Sequence, residues 1–166
     1  MVEKRFFALF VFVLVIGLTV SAALAADSAK LTGNLEAFRV VVNDEGVEDF
    51  VPADNARPND VIEYRLTYTN TGREPVQNIF IMDPIPPGMS FVHPSATEPA
   101  DGRVEFSIDG GKTYQAWPIL VKQTNDEGVE EVVEATPDMV THVRWVLTDT
   151  FQPEEAVTVS YRTVIK

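Results

Sequence analysis

The sequence predicts an all-β fold, an antiparallel β-sandwich of seven to nine strands, and three observations carry that expectation. Short runs rich in Val, Ile, Thr, Tyr and Phe recur along the chain, and several alternate apolar with polar residues. Clusters of Gly, Pro, Asn and Asp separate these runs. Beyond the first 25 residues no apolar repeat of helical period is long enough for a convincing helix. A small closed barrel is the alternative arrangement of the same strands.

The chain has 166 residues, and the first stretch lies outside that fold. Glu3, Lys4 and Arg5 precede an apolar run from Phe6 to Val20, and small residues follow through Ala26. Ala23-Leu24-Ala25 has the A-x-A form of a cleavage site, which predicts a secretory signal peptide over residues 1–25. The competing reading is an uncleaved anchor, because the 21 residues from Phe6 to Ala26 carry no charge and could span a bilayer. The small residues at the cut favour cleavage. Residues 26–166 then form a single domain of 141 residues, large enough to bury a core without staples. With no cysteine there are no disulfides, so packing must supply the stability. Losing Glu3, Lys4 and Arg5 takes the formal charge from −12 to −13. So acidic a domain repels nucleic acid and anionic lipid, so no nucleic-acid partner is expected, and with the signal removed no stable membrane insertion is expected.

The segment from Ala26 to Gly33 is small and polar and reads as flexible. Asn34 to Val42 is the first expected strand, and Asn43-Asp44-Glu45-Gly46 the turn after it. A short strand or loop through Phe50 and Val51 follows, then a loop to Asp60. Val61 to Thr69 is the clearest strand, with Ile62, Tyr64, Leu66 and Tyr68 on one face and Glu63, Arg65, Thr67 and Thr69 on the other. Asn70-Thr71-Gly72 turns the chain into Val76–Met82, apolar at most positions and so expected to be covered on both faces. Pro84, Pro86, Pro87 and Gly88 end that strand, and Met89–Val92 resumes briefly. Arg103–Asp109 alternates again, Gly110-Gly111 predicts a tight hairpin, and Tyr114–Gln123 returns, interrupted by Pro118. The acidic stretch Thr124–Asp138 reads as a helical turn or a long solvated connection. Val140–Thr148 and Ala156–Ile165 are the closing strands. The pattern as a whole fits a sandwich of immunoglobulin-like type.

The stretch from Pro58 to Val92 carries a resemblance. Pro58-Asn59-Asp60-Val61 leads into Tyr64-Arg65-Leu66-Thr67-Tyr68-Thr69-Asn70-Thr71-Gly72, and Val76-Gln77-Asn78-Ile79 leads into Asp83-Pro84-Ile85-Pro86-Pro87-Gly88-Met89-Ser90-Phe91-Val92. This resembles the bacterial and archaeal "conserved repeat" cell-surface domain, the domain of unknown function numbered eleven, over roughly Leu35 to Ile165. Asn59 stands where that family usually has Gly, and Pro153-Glu154 where it has Pro-Gly. The resemblance implies an immunoglobulin-like fold, a cell-envelope setting and a structural or adhesive role, with no catalytic activity.

Each conspicuous motif has a structural reading. Asn70, Gly72, Asp83 and Gly88 are expected to serve turns and strand ends, with a left-handed residue and a side chain bonded to its own backbone at Asn70–Gly72. Ser107–Tyr114 matches the Asp-box pattern S-x-D-x-G-x-T-aromatic, a hairpin turn repeated in sialidase-like propellers; one copy cannot build a propeller, so Asp109, Gly110 and Gly111 are read as turn residues. His93 and His142 are scattered, and no Ser-His-Asp or metal-ligand spacing stands out. Adjacent carboxylates such as Glu130-Glu131 would point to opposite faces of a strand. No catalytic, cofactor-binding or metal-ligating residues are therefore expected. Trp145 alternates with Val143 and Leu147 and reads as core, whereas Tyr114 and Trp117 follow the polar hairpin and are candidate surface contacts.

The functional expectation is a non-enzymatic exported module of the cell envelope, periplasmic or at the cell surface, with a protein partner or self-association through β-strand edges. The alternative is a carbohydrate- or protein-binding adhesive module using Tyr114 and Trp117. An enzyme with Asp and Glu as acid and base ranks last.

Overall fold

The computed structural model describes residues 30–166, so the expected signal peptide, residues 1–25, lies outside the described residues. Ten strands form: β1 (Leu31–Val42), β2 (Glu48–Pro52), β3 (Val61–Asn70), β4 (Val76–Pro84), β5 (Met89–Phe91), β6 (Gly102–Ser107), β7 (Leu120–Thr124), β8 (Glu130–Glu134), β9 (His142–Phe151) and β10 (Ala156–Ile165). One sheet has the order β2-β1-β3-β10-β5, a second β4-β9-β6, and β7 pairs with β8 alone. All pairings are antiparallel.

The five-stranded and three-stranded sheets face each other as a β-sandwich. Strict alternation decides which side chains meet. Ile62 and Leu66 of β3 and Val159 and Tyr161 of β10 point inward from the larger sheet, and Ile79, Ile81, Val143, Trp145 and Leu147 from the smaller. Trp145 is fully buried, lies 6.1 Å from the Tyr161 ring, and donates its indole N–H to the Thr97 carbonyl at 2.9 Å. A buried Trp needs such a partner for its one donor. Tyr161 also stacks on Tyr64 at 5.2 Å.

Four local expectations change. The acidic stretch supplies β8, so the described strands number ten where seven to nine were expected. Pro118 has no N–H for the ladder, so the chain touches β6 only through the Phe106–Gln115 bridge and then leaves it. Leu120–Thr124 pairs instead with Glu130–Glu134, and Ile119 and Ala135 plug the base of that ribbon into the core, joined by an N–H to carbonyl bond of 2.7 Å. The turn at Gly110-Gly111 therefore belongs to a longer loop than a tight hairpin, although both glycines do take positive φ. On β4 the outward residues Phe80 and Met82 are more than half exposed, so only one of its faces is covered. Finally, Leu31–Gly33, read as flexible, belongs to β1, which pairs with β3 from Leu31↔Asn70 to Val40↔Val61. Gly33 fits there because a Cβ would sit 2.8 Å from the Tyr68 ring.

Candidate functional site

The turn residues are built into the fold rather than offered to a ligand. Asn70 is fully buried; its amide donates to the Glu74 carbonyl at 2.8 Å and the Phe151 carbonyl at 3.0 Å, and its Oδ1 accepts the Gly72 N–H at 3.1 Å. One side chain thus closes the β3–β4 turn and fastens it to the end of β9. No left-handed residue is needed, because neither Asn70 nor Gly72 has positive φ. Asp83, at the end of β4, accepts the Tyr161 hydroxyl at 2.7 Å. Burial pushes the Asp83 carboxyl above its ordinary pKa and the hydrogen bond from Tyr161 opposes this; burial and the neighbouring Asp83 also push Tyr161 upward. Gly88 takes positive φ at the turn into β5.

The Asp-box loop is closed on itself. Asp109 Oδ1 accepts N–H bonds from Lys112 and Thr113 and the Ser107 hydroxyl, while Oδ2 accepts the Thr113 hydroxyl at 2.6 Å. The bonds from Thr113, hydroxyl first and then N–H, hold the Asp109 carboxyl far below the usual aspartate range, with the Ser107 hydroxyl next. Ser107 Oγ in turn accepts the Gly111 N–H at 2.9 Å.

Tyr114 and Trp117 are half-buried, and each has a ring face in use. The Arg144 guanidinium lies 4.0 Å over the Tyr114 ring. His93 stacks on Trp117 at 4.4 Å, and Phe106 meets the same indole at right angles. A cleft of about 220 Å³ runs beside them, with Ser95, Glu98 and Arg103 among its lining. One face of Tyr114 is therefore taken up by Arg144 and one face of Trp117 by His93.

Each sheet also carries an ion cluster on its outer face. Glu63 is buried between Arg65, at 2.7 Å, and Arg162, at 2.9 Å, and Arg162 reaches on to Glu48. Phe50 covers both guanidinium groups and Phe38 covers that of Arg65. On the opposite sheet Glu105 is buried between Arg103, at 2.6 Å, and Arg144, at 2.8 Å. The arginines hold the Glu105 carboxylate below the ordinary range against the burial that raises it. Alternation places these residues outward, but it does not reveal that two arginines and an aromatic would bury each glutamate. The signal was present as Arg and Glu two residues apart, in Glu63/Arg65 and Arg103/Glu105, with a third partner on the neighbouring strand.

The open strand edges differ. The outer edge of β2 is five residues long, carries Glu48 and Asp49, and ends in Pro52. The outer edge of β4 is broken by a register shift at Asn78, which has positive φ. β5 has three residues. Charge, proline, bulges and shortness all discourage further pairing. The first part of β1 has no proline and no bulge, and its one charged residue is Glu36. β2 pairs only with Phe38–Val42, so Leu31–Ala37 has β3 on one side and no strand on the other among the described residues. All seven residues are exposed, including Leu31 at 36% and Leu35 at 53%.

Among the described residues no helix is long and apolar enough to cross a membrane. Comparison with protein-family models, with curated proteins and with solved structures finds no match for the chain.

Proposed function

We propose that this protein is a non-enzymatic structural and interaction module of a cell envelope, exported behind residues 1–25, that associates by adding a β-strand at the edge of β1. The observation that carries this reading is the unguarded edge at Leu31–Ala37, with Leu31 and Leu35 exposed on the side of the sheet that faces the core elsewhere. An unpaired edge supplies main-chain hydrogen bonds and its apolar side chains supply contact area, the two requirements of strand addition. The likeness of Pro58–Val92 to the conserved-repeat surface domain supports the envelope setting.

Two measurements test it. N-terminal sequencing of protein from the envelope fraction is expected to start at Ala26; a cytosolic chain that retains Met1 would defeat the export reading. Native electrophoresis of envelope extracts is expected to show an assembly larger than the chain itself. Migration as a lone chain would defeat the association reading.

A further inference from the structure

We propose that two copies of this chain join edge to edge through Lys30–Glu36, antiparallel, with Gly33 of each copy on the two-fold axis. This rests on the strand-addition reading above and deepens it by naming the partner and the register.

The backbone makes the site. Thr71 N–H donates to the Lys30 carbonyl at 2.8 Å, so Lys30 turns its peptide groups toward β3. In a strand the direction alternates from residue to residue. Leu31, Gly33 and Leu35 therefore aim their N–H and C=O groups at the open edge. The Asn43 N–H, which donates to the Val47 carbonyl at 2.9 Å on that same side of β1, fits the phase. The window closes at Phe38, where Pro52 of β2 occupies the edge.

The side chains make it self-complementary. The segment Lys30-Leu31-Thr32-Gly33-Asn34-Leu35-Glu36 reads almost as a palindrome about Gly33. With Gly33 opposite Gly33 of the second copy, Leu31 meets Leu35, Thr32 meets Asn34, and Lys30 meets Glu36, each pair occurring twice. Residues of one parity share a face, so both leucine pairs form on the core-facing side, beside Tyr68, and both ion pairs on the outer side. Such an isologous contact closes on itself as a dimer. Within one chain Lys30 and Glu36 enter no ion pair among the described residues. Slipping the register by two residues would set Lys30 against Asn34 or Phe38 and lose the ion pairs. Slipping it by one would put the leucines of the two copies on opposite faces.

The test uses purified protein without residues 1–25, since the whole sandwich lies within residues 30–166. Sedimentation equilibrium is expected to give a concentration-dependent dimer. Lys30→Glu and Glu36→Lys each put like charges opposite one another twice, and each should weaken the dimer by about tenfold. Mixed in equal amounts, the two single variants should form a heterodimer of about wild-type strength, because every facing pair is then opposite in charge. The double variant, Lys30→Glu with Glu36→Lys, should likewise recover. Matching melting curves for all variants establish that the fold is unchanged. A wild type that stays monomeric up to its solubility limit overturns the proposal. So does a dimer that neither single variant weakens, or single variants that fail to rescue each other. These failures would leave export, and strand addition by a different chain, to be judged by the envelope experiments above.

Discussion

Leu31 and Asn70 sit directly opposite each other in the β1–β3 ladder, and their environments are inverted. Asn70 is polar and fully buried; Leu31 is apolar and more than a third exposed. The difference lies in what each leaves unsatisfied. Asn70 spends its amide on three backbone groups, so its burial strands no hydrogen-bonding capacity. Leu31 has apolar area and outward peptide groups that nothing in the described chain covers. A buried polar residue and an exposed apolar one are each informative. Here the first marks a place where the fold is fastened and the second a place where it is open.

If Asn70 is a fastener, Asn70→Ala should be the most damaging of the changes considered. It strands two carbonyls and an N–H, and a loss of about 2–4 kcal/mol is expected from the urea unfolding midpoint. Tyr161→Phe probes a second fastening, since it removes the hydroxyl donated to Asp83 and leaves a half-buried carboxyl without that partner. A loss of about 1–2 kcal/mol is expected from the same measurement.

Asp109 sharpens the contrast through pH. Its carboxyl titrates lower in the folded chain than in the unfolded one. The stability it contributes is present above about pH 4, the ordinary aspartate value, and is lost as pH falls toward the folded value. Wild-type stability should therefore decline below about pH 4 more steeply than that of Asp109→Asn. Parallel pH profiles of the two would refute the role assigned to that loop.

The smallest expected effect on folding is at the open strand. Leu35→Lys should change stability by no more than about 0.5 kcal/mol, because the side chain meets solvent in the isolated chain. The same change should weaken self-association. A large loss of stability with association intact would reverse the contrast between Leu31 and Asn70.

Much of the scaffold was legible in the sequence. Period-two alternation located β3 and β10 almost to the residue and identified Trp145 as core. The Asx-type bonding of Asn70 and the closed Asp-box turn also followed from residue types. Pairing beyond neighbouring residues was less legible. Nothing local reveals that Leu120–Thr124 would abandon β6 for Glu130–Glu134, because a proline's missing N–H says where a ladder stops and not where the next one forms. The open edge was hidden for a similar reason. Leu31–Gly33 is short and polar enough to read as loose chain, and only the length of its partner β3 draws it into a ladder. Strand edges depend on what is absent beside them, which composition does not record.

The place of β10 has a consequence for how the molecule is made. It lies between β3 and β5, so residues 156–165 complete the middle of the larger sheet and not its rim. Until the ribosome has delivered those residues, β3 lacks one of its two neighbours and Tyr64 lacks the Tyr161 ring on which it stacks. Contacts across so much intervening chain form slowly, because the loop they close must first lose its freedom. The larger sheet should therefore stay open along β3 until residues 156–165 have been made.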